Sequence, residues 1–309
     1  MCSSFTTIKL NAFKYLMLER KNYFSAVKKQ TMQSIIVPTD FSPSAYNAAR
    51  YAIALAKDLN ATKIILYNAY QPYISEDPEM DVLLIQDITE FRKISEEGLD
   101  RMKEKIRAEA PASIQIVLAS EYSLIANGIL GACGKYAAEL IIMGITGAET
   151  KLEEAIIGSN AVDVARDSKI PVIIVPVNAE YEKLQKVLLA VDFKKVAKTT
   201  PVSEIKKLLD VTNAQLDVLH VEADANSAHI DLDDEKKVFN SLFNNYDPQY
   251  HFIESENFTD AINDFAVNNN ANLIIVIPKK HGLFEGIFKR SHTKALAFHS
   301  HIPVMSIHE

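Results

Sequence analysis

The stretch Ser34-Ile-Ile-Val-Pro-Thr-Asp-Phe-Ser-Pro43 decides the fold. Ile35, Ile36 and Val37 form a short apolar run of the kind that makes a strand buried on both faces. Ser42-Pro43 then opens a helix, because serine caps free amides and proline suits the first helical position. Behind it Ala45, Ala48, Ala49, Ala52, Ile53, Ala56 and Leu59 recur at helical spacing. The same phrase returns as Lys186-Val-Leu-Leu-Ala-Val-Asp-Phe193, with Asp192 lying 152 residues after Asp40.

Outward from the first phrase, apolar runs alternate with helical patterns. Further strands are expected at 64–67, 114–117, 140–143 and 172–175. The pattern through Leu84, Ile88, Phe91, Leu99, Met102 and Ile106 predicts a long helix. Five strands with helical crossovers require a mostly parallel sheet covered on both faces. The second phrase starts the series again, with strands expected at 186–191, 216–221, 251–254, 273–277 and 304–307. Ser168-Lys-Ile-Pro-Val172 matches Ser300-His-Ile-Pro-Val304 at an offset of 132, so the second unit is shorter by about a helix, mostly after its second strand. A pattern occurring twice means tandem domains. They are expected at 32–178 and 185–309, joined between Val177 and Lys186, each with strand order 3-2-1-4-5.

Composition narrows the function. The chain has 309 residues, net charge -7 and pI about 5.7, with 48% hydrophobic residues. That balance argues against sequence-independent nucleic-acid binding and against a polybasic membrane patch. Cys2 and Cys133 form no CxxC pair, which fits a reducing cytoplasm. Cys133, in an apolar helical stretch, reads as a buried thiol. Residues 1–31 carry six Lys or Arg against the single acid Glu19. Met32 stands directly before the first strand, and the expectation is that it is the natural start and 1–31 is upstream read-through.

Chemistry is expected in the loop after the fourth strand. It reads Gly144-Ile-Thr-Gly147, a spacer, then Gly158-Ser159-Asn160, ahead of a helical stretch. Glycines let backbone amides approach an anion with no Cβ in the way. Ser159 and Asn160 would stand at a helix N-terminus, where free N–H groups and the helix dipole favour phosphate. A plain turn with an N-cap fits the same residues. In the expected strand order Asp40 and Gly144 end neighbouring strands, at the switch point where open α/β sheets bind ligands. Asp40 could bond a ribose or a base edge, or cap the first helix.

These features resemble the universal stress protein family: the Pro38-Thr39-Asp40-Phe41-Ser42 start, the Met143-Gly144 strand exit, the glycine loop and the closing Ile170-Pro171-Val172. The resemblance covers Met32 to Glu309 as two fused copies. It implies the adenine nucleotide alpha hydrolase-like fold and binding of ATP or AMP, with a divalent cation as a candidate companion. By the same resemblance Asp40 would face the ribose or adenine, and Asn68 would line the base through its backbone. Gly144, Gly147, Gly158, Ser159 and Asn160 would cradle the phosphates, with Met143 leading in. The spacer Ala148–Ile157 has ten residues, one more than is usual in the family. The family also implies pairing of two such units, which the fusion would supply within one chain through its final strands. A homodimer of the whole chain is a further candidate.

In the second unit Pro278, His281 and Arg290 are read at the first three glycine positions, and proline lacks the N–H that a phosphate needs. One nucleotide per chain is therefore expected. Histidines 281, 292, 299, 301 and 308 lack a supporting cysteine or carboxylate group and read as surface or capping residues rather than zinc ligands. No P-loop, HExxH, GxSxG or kinase set occurs, and no GxGxxG follows the first strand. The expectation is a cytoplasmic stress-response protein that binds adenine nucleotide as a sensor or switch and is not an enzyme. Two rivals stay open. One is an interaction module in which both loops are structural. The other is a nucleotide alpha hydrolase drawing on Lys151, Glu153 or Glu154.

Overall fold

A computed structural model describes residues 32–71, 88–145, 159–193, 195–222, 232–278 and 300–308. The expectation about residues 1–31 lies outside the described residues, as do Leu84, Gly147, Gly158 and the second loop from Lys279 to His299. The first half contains β1 (Ser34–Pro38), α1 (Pro43–Leu59), β2 (Lys63–Tyr70), α2 (Ile88–Arg107), β3 (Gln115–Tyr122), α3 (Ile125–Tyr136), β4 (Leu140–Ile145), α4 (Ser159–Asp167) and β5 (Val172–Pro176). The second half contains β6 (Lys186–Ala190), α5 (Val196–Thr199), α6 (Val202–Thr212), β7 (Gln215–Glu222), α7 (Leu232–Leu242), β8 (Gln249–Glu254), α8 (Phe258–Asn268), β9 (Leu273–Val276) and β10 (Val304–Ser306).

The strands form one ten-stranded sheet in the order β3-β2-β1-β4-β5-β10-β9-β6-β7-β8. Each half thus has the expected 3-2-1-4-5 order, with parallel pairing inside it. The halves meet through their final strands, as expected. β5 and β10 pair antiparallel, with Ile174 opposite Val304, Ile173 opposite Met305 and Val172 opposite Ser306. β1 and β5 are buried along their whole length, whereas the edge strands β3 and β8 carry exposed positions. That is how strands behave when helices cover both faces of the sheet centre.

One face carries a single hydrophobic core that runs through both halves, from Val37 and Leu66 past Ile173 and Met305 to Leu189 and Val218. On the other face each half has its own cluster. α1 and α6 touch across the junction. Nearby, Glu139 accepts from the Gln33 amide at 2.7 Å and lies 4.0 Å from Lys207 of α6. The connecting chain is fastened to α1. Asn47 Nδ2 donates to the carbonyls of Pro176 (3.1 Å) and Ala179 (2.8 Å). The Tyr181 hydroxyl donates to Asp58, and its ring meets Tyr51 edge-on at 5.1 Å. Burial, then the hydrogen bond to Asp58, push the Tyr181 hydroxyl above its ordinary range.

The shortening of the second half has a definite place. The offset between the halves is 152 from Ile65 to Asp217 in the second strands, and 132 from Val117 to Gln249 in the third. The helix between those strands survives, shortened from twenty residues in α2 to eleven in α7.

Candidate functional site

β1 pairs with β2 on one side and β4 on the other, so the crossovers leaving β1 and β4 run to opposite ends of the half-sheet. Their C-terminal ends leave a crevice between them. A cleft of about 190 Å³ lies there, lined by Asp40, Asn68, Met143, Gly144 and Asn160 among others. Five of the residues expected at the site therefore meet in one place. Ser159 is the first residue of α4, and Asn160 and Ala161 present the first turn of that helix to the cleft. Free amides at such a turn suit an anion.

The turn after β1 is built by local hydrogen bonds. Asp40 Oδ1 accepts from the Ser42 amide at 3.0 Å, and Thr39 Oγ1 accepts from the Phe41 amide at 2.9 Å. The α1 cap is Ser42, whose Oγ accepts from the Ala45 amide at 3.3 Å, with Pro43 opening the helix as expected. This corrects the reading of Asp40 as the helix cap: it holds the turn one step upstream, and its carboxylate remains exposed. Between them Phe41 takes a left-handed backbone, φ 65°, which is uncommon for an aromatic residue. The second half repeats this at Phe193, φ 49°.

Asn68 requires a correction. Its side chain is buried and donates through Nδ2 to the Thr39 carbonyl at 2.6 Å, tying the end of β2 to the turn after β1. Its main chain does not open on the cleft. The Tyr67 carbonyl accepts from the Thr39 amide on the β1 side, and the Tyr70 carbonyl accepts from the Ser123 amide on the β3 side. Main-chain groups alternate sides along a strand. Asn68 therefore faces β3, and Ala69 faces the cleft where β1 has ended. Below it the Tyr67 hydroxyl donates to Glu121 at 3.3 Å, and Glu121 also binds Lys135. Burial, reinforced by Glu121, pushes the Tyr67 hydroxyl up. Burial also pushes the nearby Cys133 thiol up to about 11, so it is a protonated core residue at neutral pH, as expected.

Gly144 has a packing role of its own. A Cβ built on it would collide with the Ser44 carbonyl and lie 2.9 Å from the Ala45 nitrogen. The N-terminus of α1 passes directly over the exit of β4, and only glycine allows that approach. The second half uses another solution. Leu140 pairs with Ile35 and Leu273 with Val187, so the residue four places on from Leu273, which is Ile277, corresponds to Gly144. This corrects the alignment that put Pro278 at that position. Ile277 is buried, and the helix that follows Asp192 is broken into α5 and α6 around Pro201. α1 runs unbroken for seventeen residues.

The turn after β6 keeps the frame and changes its surroundings. The Val191 amide donates to the Leu219 carbonyl at 2.9 Å, as Thr39 does to Tyr67 at 2.8 Å. His220 stands where Asn68 stands, and its Nδ1 donates to the Val191 carbonyl at 2.9 Å. Asp192, the counterpart of exposed Asp40, is only 1% exposed. Phe193 is fully buried among Phe239, Phe252 and Tyr250.

Tyr67, Ala69, Ile125 and Ile129 line the first cleft without having been singled out in the sequence. Ile125 and Ile129 are one turn apart at the start of α3, so helical spacing could have found them. His308, expected as a surface or capping residue, is half-buried and bonds the Ala165 carbonyl in the last turn of α4 at 2.7 Å, where Ser306 Oγ also donates at 3.2 Å. Among the described residues no helix is long and apolar enough to cross a membrane.

The fold and cleft define a tandem open-sheet α/β protein with a crevice at the switch point of its first half. A profile described as the universal stress protein family matches residues 31–176 and again 183–308. The chain belongs to the universal stress protein family, as two copies in tandem. A universal stress protein of Methanocaldococcus jannaschii is 29% identical over 167 residues, covering 54% of this chain and 93% of that protein. A universal stress protein structure from Archaeoglobus fulgidus has a TM-score of 0.63 at 20% identity, covering 90% of this chain and 97% of that one. One from Pseudomonas aeruginosa has a TM-score of 0.57 at 15% identity, covering 91% and 94%. These structural likenesses extend along both halves and bear on the fold.

Proposed function

We propose that the chain is a stress-response protein that binds an adenine nucleotide, ATP or AMP, in the cleft of its first half. It acts as a sensor or switch in the cytoplasm rather than as an enzyme. The observation that carries this is the convergence of three chemically different groups on one crevice. Asp40 offers an exposed carboxylate for ribose hydroxyls or a base edge. Ile125, Ile129, Met143 and the main chain of Ala69 offer an apolar slot with a peptide edge for a base. The first turn of α4 offers amides for phosphate. Asp40 is the only carboxylate among the described lining residues, so a divalent cation would be held chiefly by the nucleotide's own phosphates.

Titration calorimetry of the full chain with ATP and with AMP tests the reading. A single site per chain is expected. No heat at millimolar nucleotide would sink it, and rapid turnover of ATP would make the protein an enzyme instead.

One observation favours the rival interaction module: packing of α1 requires glycine at 144 whether or not a ligand binds. Under that rival Asp40→Asn changes no ligand affinity, because there is none to change.

A further inference from the structure

A second feature of the first half lies outside the nucleotide cleft. A groove of about 470 Å³ runs between the start of α1 and the middle of α2. Its floor is apolar, made by Phe41, Tyr46, Ile94 and Met102, and its charged rim consists of Arg101 and Lys105. No acidic side chain is among its described lining residues. Phe41 is 37% exposed and Ile94 53%, large apolar side chains left in water on a common groove.

The second half shows what this position looks like when covered. Phe193 has the same left-handed backbone, but α7 sets Phe239 against its ring at 6.0 Å, and Phe252 stacks on it at 6.0 Å. In the first half the facing helix offers Gly98, and a Cβ there would lie within 2.9 Å of the Phe41 ring. A glycine at that point keeps the ring low and the groove open above it. Among the described residues, the chain supplies an aromatic cover for one phenyl ring and leaves the other partly exposed in a groove that also holds Arg101 and Lys105.

We propose that this groove docks a peptide segment of a partner protein that carries an aromatic or aliphatic anchor flanked by Asp or Glu. The apolar floor takes the anchor, and Arg101 and Lys105 take the acids. The rim charges are available for this. Arg101 has Glu97 only at 3.7 Å with both side chains well exposed, an arrangement worth little in water. Lys105 lies over the Tyr46 ring at 5.9 Å, a contact that leaves its ammonium free to bind a carboxylate. The proposal goes beyond nucleotide binding and does not depend on it.

The test is selection of a random twelve-residue phage-displayed peptide library on the full chain. Synthetic copies of the enriched peptides are then measured by fluorescence anisotropy. The expected result is enrichment of peptides pairing an apolar anchor with Asp or Glu. Their affinity should fall about tenfold or more in Ile94→Asp and in the double variant Arg101→Glu, Lys105→Glu. All three positions are exposed, so the melting temperature of these variants should stay near that of the native chain, which checks that folding is intact. Absence of enrichment, enrichment without acidic residues, or equal affinity for native and variant chains would each overturn the proposal. So would sedimentation showing a dimer of this chain that Ile94→Asp dissociates, which would give the groove to a second copy.

Discussion

The two halves keep the same backbone frame and fill it in opposite ways. In both, a strand ends in Asp-Phe, the phenylalanine turns left-handed, and a side chain from the next strand ties down the carbonyl before the aspartate. In the first half that tie is Asn68, and Asp40 stays in water. In the second it is His220, whose ring packs at 5.5 Å from Phe193 and 6.0 Å from Phe252, and Asp192 is buried. The turn is thus a structural element in its own right, independent of any ligand. Finding Asp-Phe in a sequence locates the turn. The residues around it decide whether the aspartate stays in water or is buried.

The largest effect is expected where the halves are joined. Met305 is fully buried in β10 and belongs to the core that runs through both halves. Met305→Ala should cost about 3 kcal/mol. Thermal unfolding followed by circular dichroism should show one transition, shifted as a whole. A variant in which one half melts early while the other keeps its native midpoint would break the picture of a shared core.

Gly144 and Ile277 sharpen the contrast at the next level. Gly144→Val forces side-chain atoms into the Ser44–Ala45 backbone, a main-chain clash that side-chain rotation cannot relieve. About 2–3 kcal/mol is expected, against about 1 kcal/mol for Ile277→Val. Urea midpoints of the two variants measure the difference. Equal losses would mean that the unbroken α1 does not depend on glycine beneath it.

Much of this was legible in the sequence, for a physical reason. Ile35–Val37 and Val172–Val175 are apolar runs in strands buried on both faces, and burial of that kind leaves a signal in composition. Tandem copies follow from Asp40-Phe41 and Asp192-Phe193, and a mostly parallel sheet follows from the alternation of strands and helices, whereas the order 3-2-1-4-5 goes with the family resemblance. What was not legible depends on neighbours distant in sequence. The role of Gly144 is set by the helix that crosses it. Ala69 rather than Asn68 opens on the cleft because of which strand each faces, and that needs the hydrogen-bond register. Pro278 attracts the eye as a lost glycine, but the register with β6 assigns that place to Ile277. Burial of Asp192 could not be read from an Asp-Phe pair identical to the exposed one.

The tie from the second strand gives a smaller effect that separates hydrogen bonding from packing. Asn68→Ala should cost about 1 kcal/mol by leaving the Thr39 carbonyl without its donor. His220→Ala should cost about 2 kcal/mol, because it also removes a ring from the aromatic cluster. Asn68→His restores an Nδ1 donor in the open half and should recover most of the loss. If it melts as low as Asn68→Ala, the two ties are not equivalent.

The smallest change in stability, and the one most informative about function, is expected at the two aspartates. Asparagine keeps the Oδ1 that accepts from Ser42, so Asp40→Asn should stay within about 0.5 kcal/mol of the native chain. It removes a charge and one acceptor from the cleft, where a ribose or base would be held. Adenine nucleotide affinity should therefore fall about tenfold, or about 1.4 kcal/mol of binding energy. Asp192→Asn should leave that affinity unchanged, because Asp192 is buried and presents no carboxylate to a ligand. Calorimetric titration of both variants reads the two effects side by side. A loss at Asp192 equal to that at Asp40 would mean that both halves bind. No loss at either would remove the carboxylate from the site.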